Sequence, residues 1–448
     1  MVNTTPDPQR GSAADSHLLR LHELDVVVRE FVEMGEGDGT DSDLFHVRVD
    51  PRSWDDKCPE CGQAGKLRKR RPRTVTDRPL GPWTVTLEIR IPEMQCTNST
   101  CPKQSFTAAI EAVAPGSRQT RRCAAYIAKQ LSKKRTVKDI AAEMRLSWNT
   151  VNKLAKEYTH ALMDKAKNTP PEVTALAIDE HCWRHGKIGR DGKFQDRFYS
   201  VIYDISTVGK PGGKGAVIAM VPGRSKKAFA TWLAAQTDTF KAGVQVVSMD
   251  GFTAYANAAK EHLPNAIVSL DPFHVVKLFS TALDRYRRKE HTRIFRHRGR
   301  NNEGLYPNRR LLLTGQTKLD RRGRRKLQRQ LDKMPNAKVY KALRKAYNWC
   351  SAAYAEQDLD KGRLIMTRLI DWLRLSPWGK HEEFKTLRTT MSRRAADILA
   401  HFDTGVSNAS AEALNSQIKC LRRLAQGFRN PENYEYRIYL QNGPKLAA

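Results

Sequence analysis

No part of this 448-residue chain reaches the ~18 consecutive apolar residues that a membrane crossing requires. The opening residues, MVNTTPDPQRGSAADSH, lack the basic-then-apolar order of a secretion signal. They read as a disordered tip on a cytoplasmic protein. No repeat with a period of 20 to 50 residues is present, which excludes solenoids and propellers. Cysteine is sparse: there are eight, four of them in two close pairs, a usage that argues against a secreted disulfide framework and for metal ligation. Acid is in short supply as well. Lys and Arg number 78 against 48 Asp and Glu, a formal charge of +30, and such a surplus calls for a polyanionic partner, nucleic acid ahead of an anionic membrane surface. A hydrophobic content of 40% is enough for proper cores, and the length allows two to four domains.

The first apolar segments are short and alternating. Val26 to Glu33 and Leu44 to Val49 read as strands around the turn GEGDGTDSD, and Trp83 to Ile91 as a third with one buried face. Helical spacing takes over from Arg118 to Tyr158 and ends at the KNTPPE linker, where paired prolines mark a boundary. Beyond Pro171 come VTALAID, RFYSVIYDI and GAVIAMVPG, a helical SKKAFATWLAAQ, the strand VQVVSMD, the helix FTAYANAAKEHL and the strand AIVSL. Three strands, helix, strand, helix, strand is the order of an RNase H-like sheet. From Phe273 to Ala400 the pattern is helical only, with Phe384, Leu387, Met391, Ile398 and Phe402 on one face.

Cys58-Pro-Glu-Cys61-Gly is a knuckle whose glycine permits a tight turn, and Cys96-Thr-Asn-Ser-Thr-Cys101-Pro is a wider pair at the end of the third strand. Together they supply four thiolates for a tetrahedral Zn²⁺ with no open position, hence a structural metal. Cys123, Cys182, Cys350 and Cys420 are scattered and read as ordinary thiols.

Thr136 to Met144, the turn Arg145-Leu-Ser, and Trp148 to Tyr158 have the form of a helix-turn-helix. Val137, Ile140 and Ala141 face inward, Ser147 caps the second helix, and Val151 and Leu154 pack it back. That leaves Trp148, Asn149, Thr150, Asn152, Lys153 and Lys156 for a DNA groove. A generic helical hairpin fits the same spacing, but eleven Lys and Arg against two acids between Arg118 and Lys156 favour DNA. Further basic clusters, KLRKRRPR with Arg70 and Arg71, and KLDRRGRRKLQR, are suited to following a phosphate backbone, although any one such run is also what a solvated face looks like.

Asp179 ends the apolar strand TALAI and Asp250 ends VQVVSM. First and fourth strands are neighbours in an RNase H-like sheet, so both carboxylates reach one point. Like charges that close repel unless cations lie between them, and two Mg²⁺ or Mn²⁺ ions are the implied remedy. A third carboxylate is offered by SNASAEALNSQIK, where Glu412, Asn415 and Lys419 share a helical face. Adjacent strand residues point to opposite faces, so Glu180 is not expected to share Asp179's metal. Asp271 and His274 near the last strand carry two readings: a histidine that contacts the scissile phosphate or orients Glu412, or a helix-capping aspartate beside a packed histidine.

AIDE, SMDGFTAY, DPFHVVK and SNASAEALNSQIKCLRRLAQGFRN resemble the signature blocks of the ISL-three family of bacterial insertion-sequence transposases. The resemblance covers nearly everything from Cys58 to Leu440. It implies an N-terminal zinc ribbon, a helix-turn-helix and a D-D-E catalytic domain, with Asp179, Asp250 and Glu412 as the triad. A large helical insertion before the glutamate helix is also implied, in keeping with the 162 positions between Asp250 and Glu412. One block departs from the family: D-R-F-H is its commoner form, and here Pro272 follows Asp271.

The expected architecture is α+β and multidomain. It comprises a disordered start (1–17), a β-hairpin and zinc ribbon (18–115), a helix-turn-helix (116–168), an RNase H-like α/β catalytic core (172–280), an all-helical insertion interrupting that core (281–403), and the glutamate helix with the C-terminus (404–448). The function implied is binding of terminal inverted repeats in double-stranded DNA, metal-dependent cleavage, and transfer to target DNA, with a homodimer pairing two ends. A non-catalytic DNA-binding regulator and a repair or recombination nuclease are the alternatives.

Overall fold

The computed structural model describes residues 19–32, 44–168, 172–184, 187–188, 194–195, 197–251, 253–300 and 303–444. The tip at 1–17, the GEGDGTDSD turn and the paired prolines of the linker lie outside the described residues. The chain divides into two compact units, Met1–Thr169 with Cys420–Ala448, and Pro170–Lys419.

In the first unit, β1 (Val26–Val32) pairs antiparallel with β2 (Leu44–Pro51), and β2 runs parallel to β4 (Thr84–Gln95). On the far side of β4 lies β3 (Lys66–Thr76), antiparallel, and β5 (Ser105–Thr107) also pairs with β4. Alternation drives the burial: Val47 and Val49 of β2 and Val85, Leu87, Ile89 and Ile91 of β4 face one core. Hydrophobic patterning alone does not reveal β3, because KLRKRRPRTVT buries only Val75. Its backbone ladder to β4, from Lys66 opposite Gln95 to Thr76 opposite Thr86, makes it a strand. Long cationic side chains and Pro72 are what an edge tolerates and what discourages further pairing.

Three helices follow: α1 (Arg121–Ser132), α2 (Val137–Glu143) and α3 (Trp148–Asn168). Thr120 and Thr136 cap the first two, each accepting a backbone N–H from three residues on, at 3.1 Å. Ser147 Oγ accepts the Thr150 N–H at 3.0 Å and starts the third. Cys123, Ile127, Leu131, Val137, Ile140, Met144, Val151 and Ala155 share a core with Tyr436 of the C-terminal helix Pro431–Asn442. Nothing in the apolar spacing of α1 to α3 announces that last partner.

The second unit is built on β6 (Ala175–Cys182), β9 (Phe198–Asp204), β10 (Ala216–Pro222), β11 (Val246–Met249) and β12 (Ile267–Leu270), in the order β10-β9-β6-β11-β12. A two-stranded pairing of β7 (Lys187–Ile188) with β8 (Phe194–Gln195) stands apart. The first three strands are antiparallel neighbours, whereas β6, β11 and β12 run parallel. Parallel strands need crossovers, which α4 (Lys226–Ala234), α5 (Asp238–Gly243) and α6 (Thr253–His262) supply. From residue 273 to 400 only helices and 3₁₀ turns occur among the described residues: α7 (Pro272–Phe295), α8 (Arg309–Leu313), α9 (Arg321–Asp332), α10 (Ala337–Ala355), α11 (Leu359–Leu375), α12 (Glu382–Arg393) and α13 (Ala395–Thr404). Phe384, Leu387, Met391, Ile398 and Phe402 are all buried, but on two successive helices rather than one face. The helix α14 (Ala409–Leu424) follows.

Candidate metal and DNA-binding sites

Cys58 and Cys61 occupy a turn before β3, Cys96 directly follows β4, and Cys101 precedes β5, so the β3–β4 pairing closes the cluster. Gly62 at φ 72° takes the left-handed conformation that ends the knuckle, its N–H bonded to the Cys58 carbonyl at 2.8 Å. All four sulfurs lie within 4.8 Å of one another, with Cys58 Sγ to Cys101 Sγ at 3.9 Å and Cys61 Sγ to Cys96 Sγ at 3.6 Å. A tetrahedron of ~2.3 Å metal–sulfur bonds has edges of about 3.8 Å; a disulfide would need ~2.05 Å. The backbone amide of Cys61 draws the Cys58 thiol down to about 7. By contrast, burial pushes the Cys123 and Cys350 thiols up, as expected of inert core cysteines.

On α3, Trp148 is 48% exposed, and Asn149 and Lys153 are also exposed, Lys153 lying 3.8 Å from Glu157. Thr150 is half-buried, its hydroxyl 2.8 Å from that of Ser147. The expectation that Asn152 and Lys156 stand free for a groove is corrected. Asn152 donates to Asn433 Oδ1 at 3.2 Å and accepts from the Tyr436 hydroxyl at 2.6 Å, and Lys156 Nζ sits 3.0 Å from Glu432 Oε1. Four residues apart on one stripe of α3, they face the C-terminal helix. On β3, Arg71 is ion-paired to Glu93 and Arg70 lies 4.9 Å over the Trp54 ring. A cleft of about 940 Å³ between residues 114–121 and α3 is lined by Arg118, Arg121, Thr150 and Lys153. It brings the loop before α1 beside the exposed face of α3, which helical spacing could not indicate.

In the second unit, Met249 is opposite Ile178, so Asp250, the next residue, comes level with Asp179 on the adjacent strand. Asp179 is not at the end of β6 but inside it, opposite Val201 of β9, and the strand continues to Cys182. Asn415 Nδ2 of α14 donates to Asp179 Oδ2 at 2.7 Å and to the Glu180 carbonyl at 3.2 Å. Asn415 Oδ1 lies 2.8 Å from Nδ1 of buried His181. One turn earlier on the same helix is Glu412. Lys419, on that helix too, is exposed, whereas Asn415 is buried.

Burial and neighbouring charges act together on these carboxyls. Burial, then the charges of Asp271 and Asp179, hold the Glu412 carboxyl above its ordinary range, with His274 and Lys277 opposing. Glu180, expected to turn away from the site, is raised by burial and then by the charge of Asp250, while Arg224 lies 3.6 Å from it.

Of the two readings of Asp271 and His274, the helix-capping aspartate is the one the hydrogen bonds describe. Asp271, 3% exposed, is the N-cap of α7: its Oδ2 accepts the His274 N–H at 3.3 Å and lies 3.1 Å from His274 Nδ1. Its Oδ1 accepts the backbone N–H of Asn408 at 3.0 Å, and the Asn408 carbonyl accepts the N–H of Glu412 at 2.9 Å. Ligand atoms of Asp271, His274 and Glu412 all fall within 4.8 Å of one another. Burial raises the Asp271 carboxyl, but the His274 ring and the Asn408 amide more than reverse it, and the ring is raised in turn by Asp271.

Among the described residues no helix is long and apolar enough to cross a membrane. The family model for the ISL3 transposase matches residues 176–438, and one described as the helix-turn-helix domain of transposase family ISL3 matches residues 108–159. The transposase for insertion sequence element IS1557 of Mycobacterium tuberculosis is 24% identical over 312 residues, 64% of this chain and 64% of that protein. The chain thus spans somewhat under two thirds of that relative's length. The transposase for insertion sequence element IS1001 of Bordetella parapertussis is 23% identical over 387 residues, 85% of this chain and 87% of that protein. With more than half its length matched by the family model, the chain belongs to the ISL3 family of transposases and carries the family's helix-turn-helix DNA-binding domain.

Proposed function

We propose that the chain is a DDE-type transposase that recognises the terminal inverted repeats of an insertion sequence and performs strand cleavage and strand transfer. In this reading the second unit is an RNase H-like catalytic domain interrupted by a helical insertion at 281–403. The first unit comprises a ribbon (18–115) closed by Zn²⁺ on Cys58, Cys61, Cys96 and Cys101, and a helix-turn-helix (116–168). Trp148, Asn149, Thr150 and Lys153 contact the DNA, with Arg70, Arg71 and Lys419 adding cationic contacts. Two copies pair two DNA ends.

The observation that carries the reading is the hydrogen bond from Asn415 to Asp179 at 2.7 Å, spanning 236 positions of sequence. It docks the helix that bears Glu412 on the strand that bears Asp179, next to Asp250. Asp179, Asp250 and Glu412 offer hard carboxylate oxygens, the donors that Mg²⁺ and Mn²⁺ prefer. When bound, such ions activate a water or 3′-hydroxyl and stabilise the leaving oxygen in phosphoryl transfer. The protein's share of the work is positional: Asn415 fixes the Asp179 carboxylate, and Asp271 fixes the first turn of α14 through Asn408.

Glu412→Gln keeps the shape of the side chain and removes its charge. It is expected to abolish Mg²⁺-dependent cleavage of end DNA while leaving affinity for that DNA unchanged; undiminished cleavage removes Glu412 from the site. Comparing affinity for the cognate terminus with that for random DNA at fixed salt separates a transposase from a nuclease without end specificity.

A further inference from the structure

We infer that His274 is a nitrogen ligand to the divalent ion held by Glu412, and that Asp271 is the carboxylate that orients it. The inference rests on the metal-dependent reading above and extends its ligand set beyond three carboxylates.

Three observations converge. A metal-binding histidine characteristically gives its other ring N–H to a carboxylate, which fixes the tautomer and aims the free nitrogen. Here Nδ1 of His274 is committed to Asp271 at 3.1 Å, and Asp271 is itself fixed by the Asn408 amide at 3.0 Å, so Nε2 is the nitrogen left for a ligand. Glu412 lies beside the ring: ligand atoms of Asp271, His274 and Glu412 cluster within 4.8 Å, an arrangement that the three triad carboxylates do not share. Asn408, fully buried at the start of the glutamate helix, finds no partner for either atom of its side-chain amide among the described residues. A buried amide of that kind calls for a polar guest such as a metal-bound water. Asp271 itself is a poor ligand because both its oxygens already accept N–H groups.

A histidine in the set shifts preference from Mg²⁺, which favours oxygen, toward Mn²⁺ and other ions that accept imidazole. The arrangement also ties α7, which starts at Asp271, to the position of Glu412, so that ring and carboxylate move together.

The test is pulsed electron paramagnetic resonance of the full chain loaded with Mn²⁺, with any affinity tag removed. Wild type is expected to show a nitrogen coupling at the metal, and His274→Gln to lose it while remaining folded by circular dichroism. The buried His181 is the control, since a coupling that survives in His274→Gln would come from another imidazole and overturn the inference, as would a wild-type ion with oxygen couplings only. Should His274→Gln misfold, Asp271→Asn serves. It retains an acceptor for the Asn408 amide, and it is expected to keep the nitrogen coupling while weakening Mn²⁺ binding ~10- to 100-fold; unchanged affinity denies Asp271 the orienting role. The two tests are distinguishable: Glu412→Gln that abolishes cleavage, together with a wild-type ion that shows oxygen couplings only, overturns this inference and leaves the proposed function standing.

Discussion

The cysteine cluster and the proposed carboxylate site are assembled by opposite routes. Cys58, Cys61, Cys96 and Cys101 lie within 44 residues of one another, and the ladder between β3 and β4 sets both pairs at the same end of the sheet. Asp179, Asp250, Asp271 and Glu412 span 234 residues and are joined by single side-chain bridges: Asn415 to Asp179, and Asp271 to the Asn408 amide. The first site is fixed by backbone register, the second by docking. A ladder-built site should fail only when its metal is removed, whereas a docked site should fail when any one bridge is cut.

The largest effect is expected from the zinc side. Structural zinc sites in small domains contribute ~10–16 kcal/mol of apparent binding energy, so loss of the ion is loss of fold. Cys58→Ser, or a strong chelator, is expected to cost the first unit more than ~4 kcal/mol and to eliminate its melting transition in calorimetry. The transition of the second unit should remain. A first unit that melts unchanged without zinc would make the sulfur cluster incidental.

The same contrast explains what the sequence reveals. Cysteine spacing, the capped helices of the helix-turn-helix and the alternation in β4 are local patterns, so the residues that make each feature sit next to one another in the chain. The order of β6, β9, β10, β11 and β12 is legible too, because each is a short apolar run closed by turn residues. Three things are not local and escape notice. β3 has no apolar face and exists as a strand only because β4 offers a ladder. The stripe of α3 bearing Asn152 and Lys156 has a polar partner, the C-terminal helix, some 280 residues away, and polar stripes look the same whether they face water or protein. The hydrogen bond from Asn415 to Asp179 joins residues 236 positions apart, and no local pattern announces it.

Cutting one bridge of the docked site gives the next effect in size. Asn415→Ala removes one hydrogen bond to the Asp179 carboxylate, one to the Glu180 carbonyl and the contact with the buried His181 ring; a bond to a charged group contributes about 1.5–3 kcal/mol. Urea denaturation should show a loss in that range for the second unit, and DNA cleavage should fall with it. Cleavage at the wild-type rate would mean that α14 does not rely on this contact to place Glu412.

The DNA-binding face offers a smaller and internally controlled contrast between free and committed residues on one helix. Trp148→Ala removes an exposed aromatic ring, and without that ring against a base or sugar, binding to the cognate terminus is expected to weaken by ~1–3 kcal/mol. Lys156→Ala breaks a partly exposed ion pair with Glu432, an interaction of ~0–1 kcal/mol, and should leave DNA affinity within about twofold. Equal losses in a titration at fixed salt would put Lys156 on the DNA after all.

The smallest effect is a pH dependence within the helices that separate Asp250 from Glu412. His291, fully buried on α7, accepts the Leu305 N–H at Nε2 over 3.1 Å, which requires the neutral ring. Burial, then the Arg287 guanidinium, lowers its pKa from the ordinary value of 6.5. A histidine lowered in the folded state binds fewer protons there than in the unfolded chain, so stability increases with pH across the interval between the two values. The contribution is therefore whole above pH 6.5 and is lost as pH falls through the folded value. Urea midpoints of the second unit measured downward from pH 7.5 should decline, and the decline should be shallower in His291→Gln, whose amide accepts the same N–H without titrating. Parallel slopes in the two proteins would assign the pH dependence to other groups.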